Sequence, residues 1–405
     1  MNDSSITRFL KLHYLLVYGS LGAVMPFMAV YLSELGFSDS EIGLVHAMQG
    51  FAVIVGPPLV TAIADKWLSI RLLIAVMYVV MAITLWLILQ STTLAAQVVV
   101  FSIYCVGISA TLPLMDSLSM QSISRGIITQ TFQGIRLWGS IGFAIAGVVL
   151  FVWFQAFGGT ARTAIIIGGV VIAITTLAGY WLPNLQRTSE RATQSRFPTL
   201  DAIKTLCRRD TLTVEVSIFF VSVAGAIYST LYSLYVVRVG LGLNWIGLVT
   251  SIGVVVEIFC MLVLARWIDR FGIRGIMLVG VSSMILRMAA LAMFAQPVTA
   301  IVTQLLHGPL IIAMYILPVM YLHSKAGESH QASTLGVHTM LCGGIARLLG
   351  SAIGGSISES YAVGDDKLPG IQVAFWVGSI LCVIATAMVF IGLRRDDTFG
   401  SASTS

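Results

Sequence analysis

Six polar residues stand inside runs that are otherwise apolar. Asp116 lies in "TLPLMDSLSM", Arg136 opens "IRLWGSIGFAIAG", Glu257 sits in "VVVEIFCM", Arg287 in "MILRMAAL", His307 in "LLHGPLII" and Arg347 in "GIARLLG". A charge at membrane depth costs about 2.5–3.5 kcal/mol even on lenient insertion scales, so such groups face a protein interior or cavity and serve function. Their chemistry is narrow. Guanidiniums hold anions and hydroxyls through a planar fork of donors. A cavity carboxylate has its proton affinity raised by desolvation and lowered by a nearby cation, so small movements load or release a proton. Histidine titrates near neutrality and can relay it.

The surroundings explain why these residues count as intramembrane. The 405-residue chain is 57% hydrophobic and 10% charged, with a mean hydropathy of +0.93. A water-soluble chain carries roughly 25% charged residues. The bilayer is therefore the expected solvent, and about 20 apolar residues suffice for a crossing. Twelve spans are predicted, near 10–34, 41–64, 70–90, 94–120, 132–156 and 161–183, then 211–237, 243–265, 272–294, 297–324, 331–356 and 370–393. They must be helices, because backbone facing lipid has to satisfy its own hydrogen bonds and no dyad alternation suggests a barrel. The first run is too long for a signal-peptide core and lacks a small-residue cleavage site, so it is expected to stay as a span.

The basic residues set the orientation. Of 23 Lys and Arg, three (Arg162, Arg238, Lys367) fall outside and two (Arg287, Arg347) within spans, leaving 18 on the side of the N-terminus. That bias predicts cytoplasmic termini. The pI of 9.0 then reports topology and no nucleic-acid partner. The five cysteines, Cys105, Cys207, Cys260, Cys342 and Cys382, show no metal or disulfide spacing, and neither metal nor cofactor is expected.

A polar stretch from Asn184 to Asp210, with six basic residues, separates six spans from six. The expected organisation is an N-terminal bundle over 1–183, a cytoplasmic linker over 184–210 whose "FPTLDAIKTLCRR" forms a short surface helix, and a C-terminal bundle with a cytoplasmic tail over 211–405. The halves echo each other. "IADKWLSIRLLI" carries Asp65, Lys66 and Arg71 between spans two and three, and "WIDRFGIRGIML" carries Asp269, Arg270 and Arg274 between spans eight and nine, 204 residues on. Anchoring by positive charge explains the bases but not the matching acids, so duplication is the better reading.

With these loops the chain resembles the major facilitator superfamily, whose signature runs roughly Gly-x-x-x-Asp-Arg-x-Gly-Arg in the same place. "DRFGIR" fits well, while Thr61 and Ser69 replace the usual glycines in the first copy. The resemblance implies an all-α membrane protein of twelve transmembrane helices in two pseudo-symmetric six-helix bundles, rocking about a central cavity, with the two loops bracing one state. It implies a monomeric transporter in a bacterial inner membrane, taking a small-molecule solute and protons.

On the fifth helix Ser140 and Phe143 follow Arg136 on one face, and an antiparallel fourth span brings Asp116 to similar depth. Asp116, Arg136 and Phe143 resemble the sugar-holding positions of the proton-symporter branch that includes lactose permease, and Glu257, Arg287 and His307 resemble its binding and protonation positions. That branch's acid one turn beyond the histidine is Leu310 here, which puts lactose in doubt and makes Glu257 the main coupling carboxylate, with His307 and Asp116 beside it. "ADKWLS" and "GIRLWGSIGF" resemble the nucleoside:proton symporters, although the acid those place four residues beyond His307 is Ile311. "LPLMDSLS", "IRLWGS", "YSTLYSLY" and "LLHG" resemble the phenylpropionate permease group.

Counting Arg136, Arg287 and Arg347 against Asp116 and Glu257 leaves one excess positive charge in the membrane. An anionic solute would answer it, with Tyr228 and Tyr232 offering rings. The first expectation is therefore proton-coupled uptake of an aromatic or other organic acid. A nucleoside is the alternative, and a sugar symporter or drug antiporter the more distant ones. The fifth span has glycines but not the Gly-Pro of the family's antiporters, which favours uptake. An enzyme is disfavoured because no nucleophile–base set, paired metal ligands or phosphate loop occurs. A channel is disfavoured because a duplicated 6+6 chain with mixed internal charges suits alternating access.

Overall fold

A computed structural model describes residues 3–66, 69–179, 182–183, 200–326 and 331–393. Much of the predicted linker (184–199) and the tail from 394 lie outside the described residues, as do the side chains of Asp65 and Lys66. The fold is all helical: among the described residues the sole β feature is an isolated bridge between Val363 and Asp366. The helices are α1 (Asp3–Glu34), α2 (Asp39–Lys66), α3 (Ile70–Gln90), α4 (Leu94–Ser124), α5 (Phe132–Phe157), α6 (Ala161–Ala178), a short α7 (Leu200–Leu206), α8 (Arg209–Arg238), α9 (Trp245–Met293), α10 (Pro297–Lys325), α11 (Ser333–Ser360) and α12 (Leu368–Gly392). Eleven of them are long and apolar enough to cross a membrane.

The twelfth crossing is inside α9. A straight 49-residue helix would be about 74 Å long at about 1.5 Å per residue, more than twice the hydrocarbon thickness. Gly253 abuts Gln304 and His307, and Arg287, 34 residues further on, bonds to the same two side chains. The chain must therefore double back between them. It does so at Gly272, whose φ of 65° and ψ of 171° break the helical path. A residue with a Cβ resists that φ, so glycine is what permits the reversal. Spans eight and nine are thus two crossings joined without a loop, because a single residue turns the chain.

Two compact units result, one formed by Met1–Thr193 with Leu241–Ser251, the other by Gln194–Gly240 with Ile252–Ser405. Each is built the same way. In the first, α1 packs on α5 and α6; in the second, α8 packs on α11 and α12. These central helices are the most enclosed, with 72% of the apolar window of α1 and 61% of that of α8 buried. Outward faces stay apolar: Leu262 and Ile391 are 75% and 78% exposed. On a protein this hydrophobic such a surface belongs against lipid tails.

Local sequence sets the helix starts. Ser69, Thr93 and Thr131 each cap a helix by accepting from the backbone three residues on, the usual N-cap chemistry. Ser69, where the signature loop has glycine, thus starts α3, and Thr131 starts α5 five residues before Arg136. In the second signature loop, Arg274 donates to the Phe390 carbonyl at 2.6 Å and lies over its ring, tying the ninth crossing to the end of α12. Arg270 lies over Phe271 at 5.3 Å.

The α1–α5 contact is close because α5 presents glycine. A Cβ at Gly142 would run into the Leu15 carbonyl, whereas one at Gly169 would meet only Leu85 at 3.8 Å. Gly142→Leu should therefore lower stability by about 1–3 kcal/mol, the usual cost of overpacking, and Gly169→Ala should be tolerated. Thermal unfolding of the two detergent-solubilised variants checks this; equal melting temperatures would contradict the packing.

Candidate functional site

Each unit holds one cluster of the polar residues singled out above. In the first, Arg136 Nε stands 3.6 Å from Asp116 Oδ1, with both side chains about one-third exposed at 38% and 34%. Tyr14 of α1 donates its hydroxyl to the same carboxylate oxygen at 2.6 Å, and Ser119 Oγ lies 3.4 Å from that hydroxyl. The guanidinium lies over the Tyr18 ring at 4.8 Å and near Tyr14 at 6.0 Å. Cation–π contacts of this kind hold an arginine without occupying its donors. The result is a half-open carboxylate and a guanidinium with N–H groups to spare.

Ser140 and Phe143 share the helix face of Arg136. Phe143 packs against Gly22 of α1, which places its ring at the α1–α5 contact. Tyr14 and Tyr18 were not found from the sequence. Their signal was weak, two tyrosines four residues apart in an otherwise apolar span. Behind the cluster, fully buried His13 has Nε2 at 3.1 Å from the Ala178 carbonyl and stacks on Tyr78, whose hydroxyl reaches Met115 Sδ at 3.0 Å. This anchors α1, α3, α4 and α6 around the site.

In the second unit Arg287 is 0% exposed. It contacts His307 Nδ1 at 3.0 Å through Nη1, and through Nη2 donates to Gln304 Oε1 at 2.5 Å and to the Tyr228 hydroxyl. Its guanidinium covers the Tyr228 ring at 4.0 Å and approaches Tyr232 at 5.8 Å. Those rings lie 4.7 Å apart, with Phe375 of α12 at 6.2 Å from Tyr228. Gln304 Nε2 also donates to the Tyr228 hydroxyl at 3.0 Å. Residues Thr303–Leu306 tighten into a 3₁₀ turn, which sets Gln304 just ahead of His307.

The histidine tautomer follows from donor counting. Arginine can only donate, so His307 Nδ1 accepts and the ring proton is on Nε2. Nε2 is 3.7 Å from Glu257 Oε2. Guanidinium, imidazole and carboxylate, drawn from α9 and α10, thus neighbour one another in turn. Tyr232 donates its hydroxyl to the Ala300 carbonyl at 2.8 Å and brings its ring to the cluster. Arg347 bonds to the Tyr315 hydroxyl at 3.3 Å. Gln304 and Phe375 are the neighbours that sequence reasoning missed, since neutral residues carry no membrane penalty to mark them.

A chain of twelve apolar crossings in two alike units, each with an internal acid–arginine set, is a transporter's architecture. The sequence profile of the MFS_1 like family matches residues 7–364. The chain belongs to that family, within the major facilitator superfamily. It is 25% identical over 354 residues to the nucleoside permease NupG of Escherichia coli (strain K12), covering 81% of each chain. It is also 25% identical over 382 residues to the putative nucleoside transporter YegT of the same organism, covering 91% of this chain and 89% of that one. A crystal structure of the nucleoside transporter NupG superposes with a TM-score of 0.82 at 22% identity, over 96% of this chain and 98% of the other, a likeness of fold. The protein is a multi-pass membrane transporter and not an enzyme.

Tyr14→Phe removes a hydrogen bond to a charged group, a contact typically stabilising by about 1.5–3 kcal/mol. If Asp116 has to be held for solute binding, Tyr14→Phe should weaken solute affinity by about tenfold or more. Solute-concentration dependence of uptake into proteoliposomes checks this, and an unchanged affinity would contradict it. Arg287→Lys keeps the charge but loses the planar fork that serves three acceptors, so it should be folded and inactive; full activity in that variant would show that the fork is not needed.

Proposed function

We propose that this transporter takes up a nucleoside together with a proton, working as a monomer in a bacterial inner membrane with both termini cytoplasmic. The observation that carries the reading is charge balance. Asp116 answers Arg136 in one cluster, and Glu257 answers Arg287 through His307 in the other. Arg347, the source of the excess positive charge behind the organic-acid expectation, bonds to the Tyr315 hydroxyl. Two neutral clusters suit a neutral solute. The part-exposed Asp116 and Arg136 offer acceptor and donor to the hydroxyls of such a solute. The likeness to relatives named as nucleoside transporters supports the same class.

Coupling runs through Glu257. Ionised, it attracts the Nε2–H side of His307 across 3.7 Å and so favours the imidazole's contact with Arg287. Protonated, it releases that hold, and His307 and Arg287 become free to engage solute. Proton and solute then move together because each changes the same line of contacts. Asp116, bonded to Tyr14, is the second carboxylate able to take part. The carboxyl that the nucleoside:proton symporters place at the Ile311 position is supplied here by Glu257.

Uptake into proteoliposomes with an inward proton gradient tests this, comparing labelled uridine with labelled phenylpropionate. Uridine should accumulate in wild type, and Glu257→Gln should equilibrate it without accumulation. Accumulation of phenylpropionate instead would restore the organic-acid reading. Accumulation by the glutamine variant would move coupling to Asp116, and drive by sodium alone would end the proton account.

A further inference from the structure

A third buried polar cluster lies apart from both solute clusters, among Glu215 of α8 and His338 and Cys342 of α11, which are 4%, 5% and 6% exposed. His338 Nδ1 is 2.8 Å from Glu215 Oε2, and Cys342 Sγ is 3.4 Å from Glu215 Oε1. The three ligand-type atoms all fall within 4.8 Å of one another. We propose that Glu215, His338 and Cys342 form a binding site for a divalent transition-metal ion of the Zn²⁺ class.

Three features point to a cation of that class. The first is donor type: thiolate, imidazole and carboxylate are the mixed set that zinc takes, whereas calcium and magnesium take oxygen. The second is spacing. Bonds of about 2.0–2.3 Å in tetrahedral geometry put ligand atoms about 3.3–3.7 Å apart, so small side-chain adjustments bring these atoms onto one centre. The third is charge. A carboxylate in a low-dielectric interior calls for a counter-charge. A divalent ion with Glu215 carboxylate, Cys342 thiolate and neutral His338 sums to zero.

Local structure adds to this. The helix widens into a π-turn over Thr339–Ile345, which carries Cys342 and begins at His338; π-turns inside helices cluster at functional sites. Thr334, one turn before His338 on the same helix face, is fully buried, and its hydroxyl has no hydrogen-bond partner among the described residues. In the proposed site this hydroxyl is the group available to steady a water in the fourth coordination position. A metal here would staple α8 to α11, the central helix of the second unit to a neighbour.

The test uses the full-length protein in detergent, stripped with a chelator and then titrated with Zn²⁺ or with Co²⁺ as a coloured stand-in. Wild type should bind one equivalent of Zn²⁺ that survives desalting, melt at a higher temperature with it, and give a thiolate-to-Co²⁺ charge-transfer band. Removing even an outer partner of a metal site weakens binding about 10–100-fold, so Cys342→Ser and Glu215→Gln should each lose at least that much. Cys382→Ser, a buried thiol elsewhere, should change nothing. No bound equivalent, a Co²⁺ spectrum without the thiolate band, or equal binding by Cys342→Ser would each overturn the site and leave a hydrogen-bonded Glu–His pair in its place. The wild-type spectrum decides even if a variant fails to fold.

Discussion

A guanidinium sealed from solvent constrains everything around it. Arg287 cannot lose its charge, and removing one partner of a buried pair typically costs about 3–5 kcal/mol. The fold answers by turning three elements towards it. The reversal at Gly272 brings the ninth crossing alongside α10, the 3₁₀ turn in α10 delivers Gln304 and His307, and α8 supplies Tyr228. Because arginine only donates, it also dictates the state of its neighbours. His307 is held neutral with its proton facing Glu257, and the Tyr228 oxygen is held as an acceptor. One unchangeable charge thus orders a set of groups that can change.

The first unit solves a similar problem more loosely. Arg136 is part-exposed, and its pairing with Asp116 at 3.6 Å leaves donors uncommitted. Tyrosine rings restrain it from the side, where they do not compete for its hydrogen bonds. One cluster is therefore closed from solvent, while the other is part-exposed. In the symport proposed above, the part-exposed cluster recognises the solute and the closed one carries the proton.

Much of this was legible in the sequence because lipid penalises charge. Asp116, Arg136, Glu257, Arg287 and His307 announce themselves as residues that cannot face hydrocarbon, and their positions on successive spans bring them to shared depths. Tyr14, Tyr18, Gln304 and Phe375 were not legible, since a neutral or aromatic residue in a span reads the same whether it lines a site or packs a core. The contacts of Arg347 were not legible either: a helix position states depth but not which neighbour the side chain meets, and one of its partners is Tyr315. Glu215 and His338 lie 123 residues apart, and only the packing of α8 on α11 brings them together. The charged residues around Gly272 marked the boundary between two crossings, although the helix runs up to the turning residue on both sides.

The central claim is that solute and proton meet through Arg287, His307 and Glu257. The most direct measurement is calorimetry of uridine binding to the detergent-solubilised protein at mildly alkaline pH, in two buffers of different ionisation enthalpy. The account predicts that binding draws a proton from the buffer in wild type, so the measured heats differ between buffers, and that Glu257→Gln binds uridine with equal heats in both. Buffer-independent heats in wild type, or a proton still taken up by the glutamine variant, would contradict it.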